Sequence, residues 1–328
     1  MKRRYEAIDG LRALSCIGIV AMHVKANAFS HLEGFLFDQF IPSLTNLVFL
    51  FMVISAFGMC CGYYERFVNQ KIDISSFYKK RYKKILPFFA LLCFLDFVMS
   101  PSLNSLYEVF ANVTLCFGLI PNANISVIGV GWFLGVVFAF YLLFPFFCFL
   151  LSDKKRAWLA FVAAYLMNFS CLHYFNADRS SIAHCFVYFM AGGLVFLYKD
   201  KIMEIRGIRW IALAVLLASL VSFYLVGLYT IFTILISVSA LIYAMSVNGK
   251  GVLNNTFTKL IGGISFEIYL CHMVMFRVVE KAHMLHVTGN EYANYWISFV
   301  IVLVSAGIFA FVAKKLLDRV SDRIGNKK

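Results

Sequence analysis

The sequence predicts an all-α integral membrane protein of about ten transmembrane helices, with both termini cytoplasmic and a re-entrant or surface segment near residues 104–121. Three observations carry that reading. Of the 328 residues, 62% are hydrophobic and only 14% are charged, against roughly a quarter charged in soluble domains. Apolar stretches of about twenty residues, the length that crosses a bilayer, recur along the whole chain. The few charges are also lopsided, with 30 Lys and Arg against 17 Asp and Glu, a net +13. Nucleic-acid binding would need a basic face on a soluble domain, for which these runs leave little room. Membrane lipids are the expected partner, and no nucleic acid is.

The spans read at roughly 11–29, 44–64, 85–101, 128–151, 157–175, 182–198, 210–227, 229–247, 260–281 and 294–313. The first follows Lys2-Arg3-Arg4 and leads into a loop, His31 to Phe40, that holds Glu33 and Asp38 without any Lys or Arg. Arg66 and Lys71 follow the second, and five basic residues between Lys79 and Lys84 precede the third. The stretch from Leu106 to Ile120 is short, carries Glu108, Asn112 and Thr114, and lies between Pro101 and Pro121. If it crossed, Lys154-Lys155-Arg156 and every later basic cluster would change sides. If it lies on the outer surface or re-enters, 25 of the 30 basic residues fall on one side, which the positive-inside rule makes the cytoplasm.

An N-terminal basic triplet, an apolar run and Ala26-Asn27-Ala28 imitate a signal peptide. Arg12, His23 and Lys25 interrupt that run, however, and losing it would leave nine spans and invert the charge pattern. Ten spans use roughly 200 residues, so a single membrane-embedded domain over 1–328 is expected, without an appended soluble domain. The nine Cys fall in apolar stretches without metal-ligand spacing. They read as free core thiols, and no metal is expected.

Ionisable groups inside a span cost about 2.5–3.5 kcal/mol each, which makes them functional candidates. Here they are Arg12, His23, Asp96, His184, Glu267, His272 and Arg277. Arg12 and His23 are eleven residues apart, which places them about 20° apart on one helix face and ~16 Å apart along the axis. Asp9 is spaced to pair with Arg12. Glu267 and His272 lie about 140° apart on their helix and should not share a partner. Asp96 has no sequence-local cation, so pairing with another span and a proton-relay role are both open. His184 and Arg277 read as structural. The basic loop with Lys80, Arg81 and Lys84 reads either as a topology determinant facing anionic lipid or as a mouth for the phosphates of a nucleotide.

Several blocks carry a resemblance. Ile8-Asp9-Gly10-Leu11-Arg12-Ala13 followed by His23 resembles the Arg-x10-His opening of acyltransferase family 3, the bacterial integral-membrane O-acyltransferases that modify surface glycans. Phe51 to Phe57 resembles its Phe-x-Val-x-Ser-Gly-Phe, and Phe77 to Pro87 its Arg-x-x-Arg-Ile-x-Pro loop. Trp132-Phe133-Leu134 with Phe140 to Pro145 resembles a Trp-Ser-Leu-x-Val-Glu-x-x-Phe-Tyr-Leu-Leu-x-Pro block, and Ile264 to His272 resembles Ile-Ser-Tyr-x-x-Tyr-Leu-x-His. Three positions depart from the pattern: Val137 stands where the family has Glu, Phe133 where it has Ser, and Lys84 where it has Arg.

The resemblance implies an inner-membrane enzyme that moves an acyl group, in the first instance acetyl, from cytoplasmic acyl-CoA to a hydroxyl of a surface polysaccharide or lipid-linked glycan. Arg12, Lys80, Arg81 and Lys84 would hold the CoA phosphates. His23 would be the general base or a transient acyl carrier. His272 is a further catalytic candidate, as is Glu267, which could supply the carboxylate missing at Val137. Transfer of succinyl or another acyl group is the same-chemistry alternative. A secondary transporter using Asp96, His23 and His272 as proton relay is the other.

Overall fold

A computed structural model describes residues 5–119, 129–227, 229–247 and 249–325. Lys2-Arg3-Arg4, Lys327-Lys328 and residues 120–121 of the segment predicted to re-enter lie outside them. The described residues are helical almost throughout, in the order α1 (Ala7–Ala28), α2 (Leu36–Val68), α3 (Ile74–Met99), α4 (Leu103–Val113), α5 (Trp132–Leu151) and α6 (Lys154–His173). Then come α7 (Ile182–Glu204), α8 (Ile208–Val226), α9 (Tyr229–Ser246), α10 (Thr256–Gly263), α11 (Ser265–Lys281) and α12 (Glu291–Gly325).

Helix starts follow the sequence chemistry. Asp73, Asp153 and Asn255 cap α3, α6 and α10 by accepting from Ser76, Arg156 and Thr258 backbone N–H groups at 2.9, 2.8 and 2.9 Å, each satisfying a donor that the first helical turn leaves free.

Among the described residues, seven helices are long and apolar enough to cross a membrane: α1, α2, α5, α7, α8, α9 and α12. The α10–α11 pair, bent by 72° at Ile264, makes an eighth if counted as one span. By length and composition these fall short of the expected ten. The other two predicted spans are helical, as α3 and α6. But α3 carries Lys83 and Lys84 just before its apolar stretch and Asp96 within it, and α6 carries Arg156, Asn168 and His173, so they lack the apolar composition of the seven. The ambiguous segment forms α4, only eleven residues long and so about 16 Å. It exposes Leu103, Leu106, Tyr107 and Phe110 while burying Asn112.

Several basic residues gather at one end of the bundle. Lys259 of α10 bonds Glu6 at 2.7 Å and Lys314 of α12 bonds Glu267 at 2.8 Å. These contacts gather the start of α1, α10 and the C-terminal part of α12 at one basic face. The N-terminal ends of α3 and α6 and the C-terminal end of α7 bring Lys84, Lys154 and Lys199 to the same face. At the other end lie Ala28, the start of α7 and the start of α5.

The core forms where α2 packs against α1, α7 and α9, with α5 against α7 and α11 against α1 and α12. Outward residues such as Leu159, Leu166, Trp210, Leu217, Val221 and Leu225 are exposed, giving the apolar jacket that lipid requires. Seven of the nine thiols are buried and unpaired; Cys61 is half-buried and Cys116 exposed, which corrects the reading of all nine as core.

α1 reaches α10 where Gly262 meets the Asp9 backbone, with no space for a side chain between them. Gly262→Ala is therefore expected to cost about 1–3 kcal/mol of stability. A thermal unfolding midpoint unchanged from the parent in detergent would contradict that contact.

Candidate functional site

Two polar clusters sit on the stripe of α1 that carries Arg12 and His23. The first borders a cavity of about 340 Å³ open toward the basic face and walled by α1, α2, α3, α5, α11 and α12. Arg12, Lys84 and Lys314 line it together with Asp9 and Glu267, so three cations face two carboxylates. Arg12 donates to Asp9 at 2.9 Å. Lys314 bonds Glu267 and also donates to the Gly263 carbonyl at 2.9 Å, an oxygen freed by the break between α10 and α11. The first turn of α11, through Ser265, Phe266 and Glu267, faces the same space and adds the positive end of a helix dipole. Lys84, just before the apolar stretch of α3, has its ammonium held below its usual pKa by burial and then by the Arg81 and Arg12 charges.

Arg81 stands behind this wall. Its guanidinium lies 5.8 Å from the ring of Tyr141, which itself lines the cavity. It donates to the Tyr63 hydroxyl at 2.5 Å and to the Met59 sulfur at 3.5 Å. Its Nε is buried without a hydrogen-bond partner, and no carboxylate pairs with Arg81 among the described residues. Lys80 is exposed and is not part of the cavity wall.

The second cluster lies toward the other face. His23 and His272 have ring centroids 5.1 Å apart, tilted by 48°. His272 is 1% exposed. Its Nδ1 lies 2.6 Å from the Tyr269 carbonyl, and because a carbonyl only accepts, Nδ1 carries the hydrogen. That leaves Nε2 of the neutral ring as a buried lone pair without a partner among the described residues. Glu267, five residues earlier on α11, belongs to the cavity instead, so the two residues that read as pointing apart serve different clusters.

Arg179 and Thr45 escaped sequence reasoning. The Arg179 guanidinium donates to Thr45 at 2.6 Å and lies 5.1 Å from the Trp132 ring, at the end of the bundle where α5 and α7 begin. Arg179 follows α6 and Thr45 sits in α2, so no local spacing links them to α1. One signal was available. The count that put 25 basic residues on one side left five over, namely Arg12, Lys25, Arg179, Arg277 and Lys281.

Asp96 pairs with Arg277 at 2.5 Å across α3 and α11, so of its two open readings the structure displays the ion pair. Asp96→Asn should lower the unfolding midpoint by a few degrees by weakening this contact, with Arg277→Gln removing most of the difference. Additive losses in the double variant would count against coupling.

A family model described as an acyltransferase domain, acyltransferase 3, matches residues 5–315. The chain belongs to the acyltransferase 3 family. It is thus a multi-pass membrane protein of an acyl-transferring family. No curated protein and no solved structure matches it significantly. Within this acyltransferase 3 chain, Val137 lines the same cavity as Glu267. A carboxylate is therefore present in that space, supplied by α11 rather than α5 and occupied by Lys314.

Proposed function

We propose that the protein is an O-acyltransferase that takes an acyl group, in the first instance acetyl, from acyl-CoA at the basic face. It passes the group to a hydroxyl of a surface or lipid-linked glycan at the opposite face of the bacterial inner membrane. The observation that carries this reading is the placement of a cation-lined cavity and a histidine pair on one stripe of α1, about 16 Å apart. Acyl-CoA suits that span, with phosphates at one end, a thioester at the other and a slender arm between.

At the basic end, Arg12, Lys84 and Lys314 meet the phosphates, with Arg81 close behind Tyr141. Burial first and the neighbouring Arg81 and Arg12 charges next depress the Lys84 ammonium, and an anionic ligand relieves the repulsion among these cations. At the other end, His23 accepts the proton of the acceptor hydroxyl. The oxygen attacks the thioester carbonyl, the new C–O bond forms, and the C–S bond breaks. His23 then returns its proton to the departing thiolate, so the products are an O-acyl ester and free CoA. The Nε2 lone pair of His272 can accept an N–H from His23, keeping the opposite nitrogen of His23 basic, the role an orienting partner has in other base pairs.

The test is transfer from radiolabelled acetyl-CoA by membranes carrying the full chain. Label in a glycan or lipid-linked glycan fraction, dependent on the protein, is expected. Membranes with folded protein and no such label would overturn the reading.

A further inference from the structure

Between the cavity and the histidine pair lies a layer one side chain thick. Phe51 of α2, Phe133 of α5 and Tyr269 of α11 form the inner wall of the cavity. Their ring centroids are separated by 6.1 Å (Phe51–Phe133), 6.3 Å (Phe51–Tyr269) and 5.0 Å (Phe133–Tyr269). They are 9%, 5% and 2% exposed. The ring of His272 is 5.8 Å beyond Tyr269, and His23 follows it.

The layer is held unequally. Tyr269 is pinned, because its hydroxyl donates to the Val130 carbonyl at 3.3 Å and its own carbonyl accepts from His272. Helix α5 is also buttressed, since the Phe117 ring is seated directly on Gly135. Phe51 and Phe133 have no polar tether, so any opening comes from their ring rotation rather than from helix movement. Nothing in the layer can solvate a charge. Its one hydroxyl is already engaged with Val130, and ring faces carry negative potential that repels anions. No cation lies within the layer: Arg12, Lys84 and Lys314 are on the cavity side, and Arg179, beyond it, is engaged by Thr45 and the Trp132 ring.

We propose that Phe51, Phe133 and Tyr269 form a charge filter that admits a neutral acyl thioester to the histidine pair and refuses an acyl group bearing a carboxylate. This inference rests on the acyl-transfer reading and narrows its substrate class to uncharged acyl groups, setting the succinyl alternative aside. An unpaired carboxylate within such a layer is disfavoured enough to give about a hundredfold discrimination or more.

The experiment compares CoA release from acetyl-CoA and succinyl-CoA in inside-out vesicles carrying the full chain, with His23→Ala vesicles as background. The parent should favour acetyl-CoA by about a hundredfold or more. Phe133→Ser should narrow that ratio about tenfold by giving the layer a hydroxyl and room for water, whereas Phe133→Leu, still apolar, should keep it. Comparable use of the two donors by the parent, or identical ratios in the Ser and Leu variants, would overturn the filter.

A second measurement does not need acyl transfer. In a Cys61→Ser, Cys116→Ser background, His23→Cys is exposed from the basic face to methyl methanethiosulfonate or its anionic sulfonatoethyl analogue. The neutral reagent should label and the anionic one should not until Phe133→Ser is added. Equal labelling by both with Phe133 intact would overturn the proposal. The expected labelling without turnover of any acyl-CoA would overturn the acyl-transfer reading while upholding the charge-excluding layer.

Discussion

His23→Ala is expected to lower acyl transfer by about two to four orders of magnitude, the usual contribution of a positioned general base. The yield of folded protein from membranes should be unchanged. The ring of His23 is half-buried, and no hydrogen bond holds it among the described residues, so its removal leaves no buried polar partner that was previously satisfied through it. The effect should fall on kcat rather than on KM for acyl-CoA, because the cations facing the phosphates lie about 16 Å away along α1. His272→Ala should cost less than His23→Ala. His272→Gln should recover part of that loss, because an amide can donate to the Tyr269 carbonyl and still offer an acceptor. Retained transfer by His23→Ala in membranes with normal amounts of folded protein would refute the role.

Arg12→Ala is expected to raise KM for acyl-CoA by about tenfold or more, since hydrogen bonds to charged groups contribute about 1.5–3 kcal/mol. Two effects add. A cation is lost from the cavity, and the Asp9 carboxylate, which lines the same space, loses its 2.9 Å contact with Arg12 where phosphate should bind. Arg12→Lys should restore part of the affinity, short of the forked geometry of a guanidinium. Arg81→Ala should weaken acyl-CoA use less than Arg12→Ala, because Arg81 reaches the cavity only through Tyr141. The measurement is a KM series for acetyl-CoA at two ionic strengths. A KM for Arg12→Ala equal to that of the parent would refute phosphate binding at the cavity.

The stripe bearing Arg12 and His23 was legible because helix geometry alone relates two residues on one helix. The same arithmetic separated Glu267 from His272, and the structure uses them at different ends of the site. It could not supply their partners. His23 and His272 are 249 residues apart in sequence, and Lys314 was counted only as a topology charge until its bond to Glu267 placed it in the cavity. Gly262 lets α10 pack directly on the Asp9 backbone of α1, a long-range contact that no spacing within α10 reveals, and the 72° turn falls just after it, at Ile264. The two expected spans at α3 and α6 fall short of the apolarity of the others because of the lysines and Asp96 within α3 and the polar residues of α6.

The aromatic layer also bears on membrane voltage. If water reaches Arg12 from one face and the region of Arg179 from the other, most of the potential falls across the few ångströms occupied by Phe51, Phe133 and Tyr269. Each charge carried across that drop against the field costs about 2.3 kcal/mol per 100 mV. CoA keeps its phosphates among the cations of the cavity, and a neutral acyl group crosses without electrical work. Transfer by this route should therefore proceed at the same rate in energised and de-energised membranes.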